Sequence, residues 1–261
     1  MRRDKAADET GELNDTGGRL RLFVESPLNA GAKINPGESQ THYLLHVMRA
    51  GAGDTVRLFN GRDGEWRARI SDATRRSCTL VCDRQMAEQK GVPDLWLAFA
   101  PIKKTPAEYL VQKATELGAA MLLPVVTERT VARRVNVERL RANAIEAAEQ
   151  SGRLTVPDIR EALSLPELLR GWPPERGLLF CDEAGDARAI ADALARAESR
   201  KSWGVLTGPE GGFSPEERHL IRAHPAVLPV TLGPRIMRAD TAALAALAVW
   251  QALIGDGHQE G

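Results

Sequence analysis

The stretch from Leu206 to Glu217, LTGPEGGFSPEE, constrains the fold most, because it places a strand end, a glycine loop and a helix start in one short segment. Three glycines leave its backbone free of side-chain bulk, so a ligand can contact the main chain there. They are Gly208, Gly211 and Gly212. Ser214, followed by Pro215 and two glutamates, predicts a helix that begins with a serine N-cap and proline at its first position.

A second corner of the same kind lies further along the chain. The segment LGPRIMRADTA, from Leu232 to Ala242, follows the apolar run Val227 to Leu232 and opens an alanine-rich helix that ends near Ile254. In open α/β sheets, ligands bind beyond the carboxyl ends of the strands. Both loops are therefore candidates for a binding site.

The alternation of apolar runs with helical patterns predicts an α/β domain with a mainly parallel sheet over residues 93–256. Its strands are expected at DLWLAFAPI, AMLLPVV, GLLFCDE, WGVLTG and the run before Leu232. Residues 86–92 are polar and indicate a linker. Residues 1–18 are charged and polar, which predicts a disordered extension.

Residues 19–85 consist of short alternating strands with turn residues between them, which predicts a small β-barrel. Within it, THYLLHVMRAGAGD predicts a helix capped by Thr41. From Arg19 to Lys90 there are 12 Lys and Arg against 8 Asp and Glu, so the positive excess of a chain with no net charge lies here. On charge alone these arginines indicate either a solvated surface or an RNA-binding one.

Composition excludes several classes of protein. Three cysteines without a CxxC pair argue against a zinc ribbon and a disulfide framework, and favour a reducing cytoplasm. The histidines of the α/β half lack the spacing of a metal site, and His42 and His46, four residues apart, have no partner carboxylate nearby, so no metal is expected. No apolar run has the roughly 20 residues that a membrane-spanning helix needs.

The GPEGG loop is not a phosphate-binding loop. It matches neither GxGxxG nor GxxxxGK[ST], and Glu210 at its centre would repel a polyphosphate. A ligand without phosphates that carries an amine, a ribose or an adenine edge suits it better. The alternative is a tight turn without a ligand.

Seven motifs in order give the chain a family resemblance. They are RLFV, HYLLHVMRAGAGD with FNGRDGEW, QKATELGA, TERTV, EAAEQSGR, LTGPEGGFSPEE and LGPRIMRADTA. Together they closely resemble the RsmE family of 16S ribosomal RNA uridine N3 methyltransferases, of the SPOUT class. The resemblance implies an N-terminal PUA-like or OB-like β-barrel that binds RNA and a C-terminal α/β domain with a trefoil knot. It also implies S-adenosylmethionine as methyl donor, the small ribosomal subunit with its decoding region as substrate, and a homodimer.

The resemblance also implies the site residues. The cofactor would contact the two loops at Leu206, Thr207, Gly208, Pro209, Glu210, Gly211, Gly212, Leu232, Gly233, Ile236, Met237 and Arg238. The positive charge of the barrel, in turn, predicts that RNA contacts Arg21, Arg49, Arg62, Arg67 and Arg69. In place of Asp240 the family more often has glutamate.

Uridine N3 carries a proton, so its methylation needs a base or a cation that stabilises the anion. The candidates for the cation are Arg235, Arg238 and Arg153, and those for orientation or proton acceptance are Glu210 and Asp240. Three other functions stay open: a non-catalytic RNA-binding assembly factor, a methyltransferase of another RNA, and an α/β enzyme acting on a nucleotide-like metabolite.

The helix from Thr241 to Ile254 provides a prediction about association. Its apolar surface is extensive, which predicts that it packs against a second copy of the chain in a twofold dimer. The residues expected at this interface are Leu244, Leu247, Ala248, Trp250 and Gln251.

Overall fold

The computed structural model describes residues 20–258 apart from 103, 133, 184 and 185. The predicted disordered extension, residues 1–18, lies outside the described residues. The chain divides into two compact units. The first unit contains the described residues up to Lys90 together with Gly152–Thr155, and the second unit contains the described residues of Gly91–Ser151 and those from Val156 onward. The domain boundaries proposed from the sequence stay a prediction.

The first unit is built on one five-stranded sheet with the order β1-β3-β4-β5-β2. The strands are β1 (Arg21–Phe23), β2 (Lys33–Ile34), β3 (Thr55–Phe59), β4 (Glu65–Ala73) and β5 (Cys78–Ala87). Strands β1 and β3 are parallel, and the other pairs are antiparallel. Alternate residues of the strands form the buried core. Examples are Val56 and Leu58 on β3 and Ala68 and Ile70 on β4.

A short helix and a π-helix connect β2 to β3. Helix α1 (Glu38–His42) begins after Gly37, and the π-helix Tyr43–Val47 continues it. The prediction that Thr41 caps this helix is wrong, because Thr41 lies inside it. Its side chain is buried and donates a hydrogen bond to the Pro36 carbonyl at 3.2 Å. Turns of π-helix are rare and often occur at functional sites.

The second unit contains a parallel sheet with the order β11-β13-β10-β12-β6-β7-β8, and β9 also pairs with β7. Its strands are β6 (Asp94–Phe99), β7 (Met121–Val126), β8 (Asp158–Ile159), β9 (Leu163–Ser164), β10 (Gly177–Cys181), β11 (Arg188–Ala189), β12 (Ser202–Thr207) and β13 (Val227–Thr231). The parallel α/β architecture predicted from the apolar runs is confirmed.

Six helices of the second unit cover the two faces of this sheet. They are α2 (Lys104–Glu116), α3 (Val137–Ser151), α4 (Leu165–Arg170), α5 (Ile190–Arg196), α6 (Pro215–Arg222) and α7 (Ala239–Leu253). Helices α2, α3, α5 and α7 share one buried cluster, whereas α4 and α6 share the other. Alternate residues of β12 supply both clusters: Val205 belongs to the first and Leu206 to the second. A 3₁₀ turn, Asp256–His258, follows α7.

The apolar surface of α7 is used by its own domain. Leu247 is fully buried, and Trp250 and Gln251 are also buried within the second unit. The prediction that these three residues form a dimer interface is therefore wrong. Of the expected set, Ala248 is exposed and Leu244 is half-buried.

Within the described ranges, no helix is both long and apolar enough to cross a membrane.

Candidate functional site

A pocket lies at the carboxyl ends of three adjacent strands, β13, β10 and β12. Three chain segments that follow these strands supply most of its wall. The lining residues are Cys181, Asp182, Glu183, Thr207, Gly208, Pro209, Glu210, Gly212, Phe213, Arg218, Thr231, Leu232, Gly233, Pro234, Arg235, Ile236, Met237, Ala239 and Ala242. This is where open α/β sheets place their ligands.

The first loop, residues 207–213, is tightly built. The Gly212 N–H donates to the Pro209 carbonyl at 2.9 Å, and Gly212 has a φ of 67°. Such a backbone conformation favours glycine. A Cβ on Gly208 would lie 2.7 Å from the ring of Phe213, which is buried and packs edge-on against Phe180 with 5.3 Å between ring centroids. The absence of a side chain at Gly208 thus lets the loop lie directly on the core.

The helix that follows this loop begins as the sequence predicted. Ser214 is the N-cap of α6, and its hydroxyl accepts a hydrogen bond from the Glu217 N–H at 3.2 Å. The Glu217 carboxylate accepts the Ser214 N–H at 3.0 Å in return. This capping box occupies two donors that a helix start would otherwise leave unpaired.

Asp182, one residue after β10, was missed by the sequence reasoning. Its buried carboxylate pairs with Arg218 at 2.9 Å and Arg222 at 2.6 Å, both on α6. Arg222 also binds Asp186. Hydrogen bonds to the two carboxylates raise the pKa of Arg222 above its ordinary value, with Asp186 contributing most and Asp182 next. The polar residues at the end of GLLFCDE were the available signal, since they follow an apolar strand as both loops do.

The second loop, residues 232–238, makes fewer contacts. The Thr231 hydroxyl accepts the Gly233 N–H at 3.3 Å, and Gly233 has a φ of 110°. Ile236 has 94% of its surface exposed, although it lines the pocket. Arg235 is exposed as well. This wall of the pocket carries side chains that a ligand could cover.

The pocket brings together most of the residues proposed from the sequence. Nine of the expected cofactor residues line it: Thr207, Gly208, Pro209, Glu210, Gly212, Leu232, Gly233, Ile236 and Met237. Of the candidate catalytic residues, Arg235 and Glu210 line it. Leu206, Gly211, Arg238, Asp240 and Arg153 are not part of its lining.

The residues outside the pocket have identifiable positions. The Leu206 side chain is buried in the core shared with α6. Arg238 is the N-cap residue of α7, and its guanidinium is exposed. The Asp240 carboxylate accepts the Thr241 N–H at 2.8 Å. Arg153 belongs to the first unit, where its Nε donates to the Thr155 hydroxyl at 3.0 Å.

Charged side chains of both signs line the pocket. Among the described lining residues, the acids are Asp182, Glu183 and Glu210 and the bases are Arg218 and Arg235. Asp182 is already paired with Arg218 and Arg222, so the lining carries no strong excess of either sign. Burial raises the pKa of the Cys181 thiol to about 12, so this lining residue stays a neutral thiol.

Four arginines of the first unit are paired with acids. The Arg21 guanidinium is buried over the Phe59 ring, and it contacts Glu65 at 2.6 Å. Arg57 contacts the same carboxylate at 3.2 Å. Arg67 and Arg69 pair with Asp83 at 2.8 and 3.8 Å. These contacts use Arg21, Arg67 and Arg69 within the fold, although all three were candidates for RNA binding.

Other arginines of this unit are exposed. Arg62 donates to the Glu25 carbonyl at 3.0 Å. Within the described part of the chain, Arg49, Arg75 and Arg76 form no salt bridge. Arg49 follows the π-helix with a φ of 55°, a strained conformation for a residue other than glycine. The His46 ring of the π-helix hydrogen-bonds the Arg75 carbonyl at 3.1 Å, so the π-helix lies beside the turn that carries Arg75 and Arg76.

This part of the first unit also carries exposed apolar side chains. Val47 is 57% and Met48 46% exposed, and both lie directly before Arg49. We name the residues Val47, Met48, Arg49, Arg75 and Arg76 the π-helix surface.

No group of three or more His, Cys, Asp or Glu side chains that could hold a metal ion occurs among the residues described.

Two family models match the chain. An RNA methyltransferase domain matches residues 88–251, and an RNA methyltransferase PUA domain matches residues 36–81. The predicted PUA-like N-terminal domain is confirmed.

Relatives of established name cover nearly the whole chain. Ribosomal RNA small subunit methyltransferase E from Rickettsia conorii is 32% identical over 87% of this chain and 93% of its own length. The protein of the same name from Synechocystis sp. is 32% identical over 90% of this chain and 78% of its own.

Solved structures are similar as well. A putative methyltransferase from Legionella pneumophila in complex with S-adenosylmethionine has a TM-score of 0.82 and 28% identity, and covers 91% of this chain and 98% of its own. The ribosomal RNA small subunit methyltransferase E from Neisseria gonorrhoeae, bound to S-adenosylmethionine, has a TM-score of 0.82 and 26% identity over the same shares. These matches confirm the family resemblance seen in the seven motifs. The chain belongs to the ribosomal RNA small subunit methyltransferase E family of RNA methyltransferases.

Proposed function

We propose that this protein methylates N3 of a uridine in the 16S ribosomal RNA of the small subunit, with S-adenosylmethionine as the methyl donor. The observation that carries the proposal is that the two loops of the family motifs line one pocket, beyond the ends of β12 and β13, which flank β10 in the sheet. The relatives named above act on small-subunit ribosomal RNA by name, and two similar structures hold the cofactor.

The pocket fits S-adenosylmethionine in its chemistry. The glycines of the first loop leave backbone accessible for contacts with an adenine edge or a ribose. Leu232, Ile236 and Met237 offer apolar contacts for an adenine ring. The Glu210 carboxylate of the first loop suits a ligand with a sulfonium and an ammonium group, whereas it disfavours a polyphosphate against this loop.

The chain's own residues must prepare the nucleophile. S-adenosylmethionine, when bound, supplies a methyl group on a sulfonium centre. We assign to the Arg235 guanidinium the stabilisation of the negative charge that develops on the uracil as N3 loses its proton. Glu210 is the proposed proton acceptor, since it lines the same pocket and Asp240 does not. Arg238 and Arg153 are weaker candidates because they are not in the lining.

The first unit would hold the RNA. We propose that the π-helix surface makes this contact, together with Arg62, because its arginines are exposed and form no described salt bridge. Exposed Val47 and Met48 add apolar contacts for an unstacked base or a sugar. Arg21, Arg67 and Arg69 are less suited to this role, since breaking their ion pairs would oppose binding.

The remaining parts of the proposal rest on the family and on composition. We propose a homodimer that works in the cytoplasm without a metal ion. Its interface would not use Leu247, Trp250 or Gln251 of α7, which are buried. Sedimentation at micromolar concentration would test it, and a species of 28.4 kDa alone would refute the dimer.

The decisive test is methylation of small ribosomal subunits from a strain that lacks the gene. Incubation with the protein and methyl-labelled S-adenosylmethionine should place label in 3-methyluridine, identified by mass spectrometry of the nucleosides. Label in another nucleoside would contradict the assignment of the reaction, and absence of cofactor binding in calorimetry would contradict the assignment of the pocket. RNA binding without methylation and without cofactor binding would favour the non-catalytic assembly factor.

The RNA surface has a test with a matched control. Arg49, Arg75 and Arg76 replaced together by Gln should weaken RNA binding and lower the slope of log affinity against log salt by roughly 0.7 to 0.9 per lost phosphate contact. Arg67 and Arg69 replaced by Gln should change this slope less, because both are already paired with Asp83. Equal changes in both variants would contradict the assignment.

A further inference from the structure

The motif TERTV, residues 127–131, belongs to none of the roles assigned so far. It forms a closed turn after β7. The Thr127 N–H donates to the Thr130 hydroxyl at 2.9 Å, and the two hydroxyls lie 2.9 Å apart. Both threonines are buried. The turn is therefore fixed by its own side chains, and Glu128 and Arg129 project from a rigid base.

Two hydrogen bonds join this turn to the first loop of the pocket and its helix. The Glu128 N–H donates to one oxygen of Glu217 at 2.7 Å, while the other oxygen closes the capping box with Ser214. Arg129 donates from Nη1 to the Gly211 carbonyl at 2.9 Å. The bonded residues are 89 and 82 positions apart in sequence, so both bonds are long-range contacts of the turn with the first loop and α6.

The hydrogen bond from Arg129 leaves no polar group of the Gly211–Gly212 peptide unit unpaired. Its C=O accepts from Arg129, and its N–H donates to the Pro209 carbonyl at 2.9 Å. Both polar groups of this peptide are occupied, so its plane cannot turn without losing a hydrogen bond. This peptide is therefore part of the frame of the loop and not a donor to a ligand.

The loop needs such a frame because it contains three glycines. Glycine has the largest backbone freedom of any residue, and ordering it on ligand binding opposes binding. A loop held in its binding conformation beforehand binds more tightly for that reason. Arg129 also packs on the loop, because a Cβ at Gly211 would lie 3.5 Å from the Arg129 Cβ.

We infer that Arg129 is a positioning residue for cofactor binding: by donating to the Gly211 carbonyl, it holds the first loop in its binding conformation. The inference rests on the proposed function in one respect, since it takes S-adenosylmethionine as the ligand of this loop. Arg129 does not line the pocket and needs no contact with the cofactor or the reacting atoms.

The test compares Arg129→Met, which keeps an unbranched apolar stem and removes the donor, with Arg129→Lys, which keeps a charged donor. Calorimetry should show Kd for S-adenosylmethionine raised about five- to tenfold in Arg129→Met and largely restored in Arg129→Lys. KM for the cofactor should rise likewise, while kcat at saturating cofactor stays close to that of the wild type. A fall in kcat with an unchanged KM would overturn the inference.

Arg139→Met is the matched control. Arg139 lies on α3 of the same unit, donates to Glu108 and does not line the pocket, so its loss should leave Kd unchanged. Equal weakening in both variants would mean a general loss of structure and would overturn the positioning role. Normal cofactor affinity in Arg129→Met with weakened RNA binding would overturn it too, in favour of an RNA contact.

A readout without cofactor separates this inference from the proposed function. Amide hydrogen exchange of residues 208–213 in the free protein should be faster in Arg129→Met than in the wild type, because the Gly211–Gly212 peptide is released. This result can hold even if calorimetry finds that the wild type binds another ligand. Unchanged exchange would refute the bracing of the loop. Should Arg129→Met fail to fold by circular dichroism, Arg129→Ala, which also removes the donor, takes its place in both measurements.

Discussion

The two loops of the pocket differ in how the fold holds them. The first loop is fixed from four directions: by the Phe213 ring beneath Gly208, by its own turn, by the capping box of α6 and by Arg129. For the second loop, the bonds described are those between Thr231 and Gly233 at one end and the start of α7 at the other. Its Ile236 is almost fully exposed.

This difference indicates two roles. A rigid loop of backbone groups suits a cofactor that every turnover uses in the same pose. A loop with exposed side chains suits contacts that form when a ligand covers them, since loops that close on ligands belong to the less stable parts of a fold. We therefore expect substitutions in the first loop to affect cofactor affinity, and substitution of Arg235 in the second loop to affect the rate of methyl transfer.

The largest effect is expected in the second loop. Arg235→Ala should lower kcat for methyl transfer roughly 100-fold, because it removes a cation beside the developing uracil anion. The Kd for S-adenosylmethionine should change little. Arg238→Ala, three residues along and outside the lining, is the matched control and should retain most activity. Radiolabel transfer under single-turnover conditions measures the rate of methyl transfer in both variants. A larger loss of rate in Arg238→Ala than in Arg235→Ala would contradict the assignment of the cation to Arg235.

A smaller effect is expected from the glycines of the first loop. Gly208→Ala would push a methyl group into the Phe213 ring, an overpacking that costs about 1–3 kcal/mol of stability. It should also raise Kd for the cofactor about tenfold, because the loop must move. Gly211→Ala meets only an ordinary contact at 3.5 Å and should bind nearly as the wild type does. Equal affinities in the two variants would show that the fit of the loop to the core is unimportant.

The smallest effect concerns the helix caps. Ser214 and Ser164 each close a capping box, at the starts of α6 and α4. Either serine replaced by Ala should lower the free energy of unfolding by about 1 kcal/mol. Only Ser214→Ala should also weaken cofactor binding, since its partner Glu217 holds the turn that carries Arg129. Thermal unfolding and calorimetry on both variants decide whether the cap of α6 serves the pocket.

Local sequence signals predicted the parts of the site that depend on local chemistry. The Ser214 cap, the strand ends and both loops follow from patterns within a few residues. The sequence also placed Glu210 and Arg235 near a ligand, and both are in the lining.

Long-range contacts were beyond such reasoning. Nothing near Asp182 or Arg129 in sequence shows that Arg218 or Gly211 is the partner, because sheet order and strand register decide these contacts. For the same reason, composition could not separate Arg21, buried against Glu65, from the exposed Arg49. The apolar pattern of α7 was recognised, but its own sheet buries Leu247 and Trp250 where a partner chain was expected.

Amide hydrogen exchange, measured on both loops with and without S-adenosylmethionine, tests the central claim most directly. In the free protein, the Gly212 amide of the first loop should already be protected, because it donates to the Pro209 carbonyl, and residues 232–238 should exchange quickly. Addition of the cofactor should protect the second loop while changing the exchange of Gly212 little. If both loops exchange equally fast in the free protein and become protected together, the first loop does not hold its binding conformation before the cofactor binds. The division of roles between the loops is then contradicted.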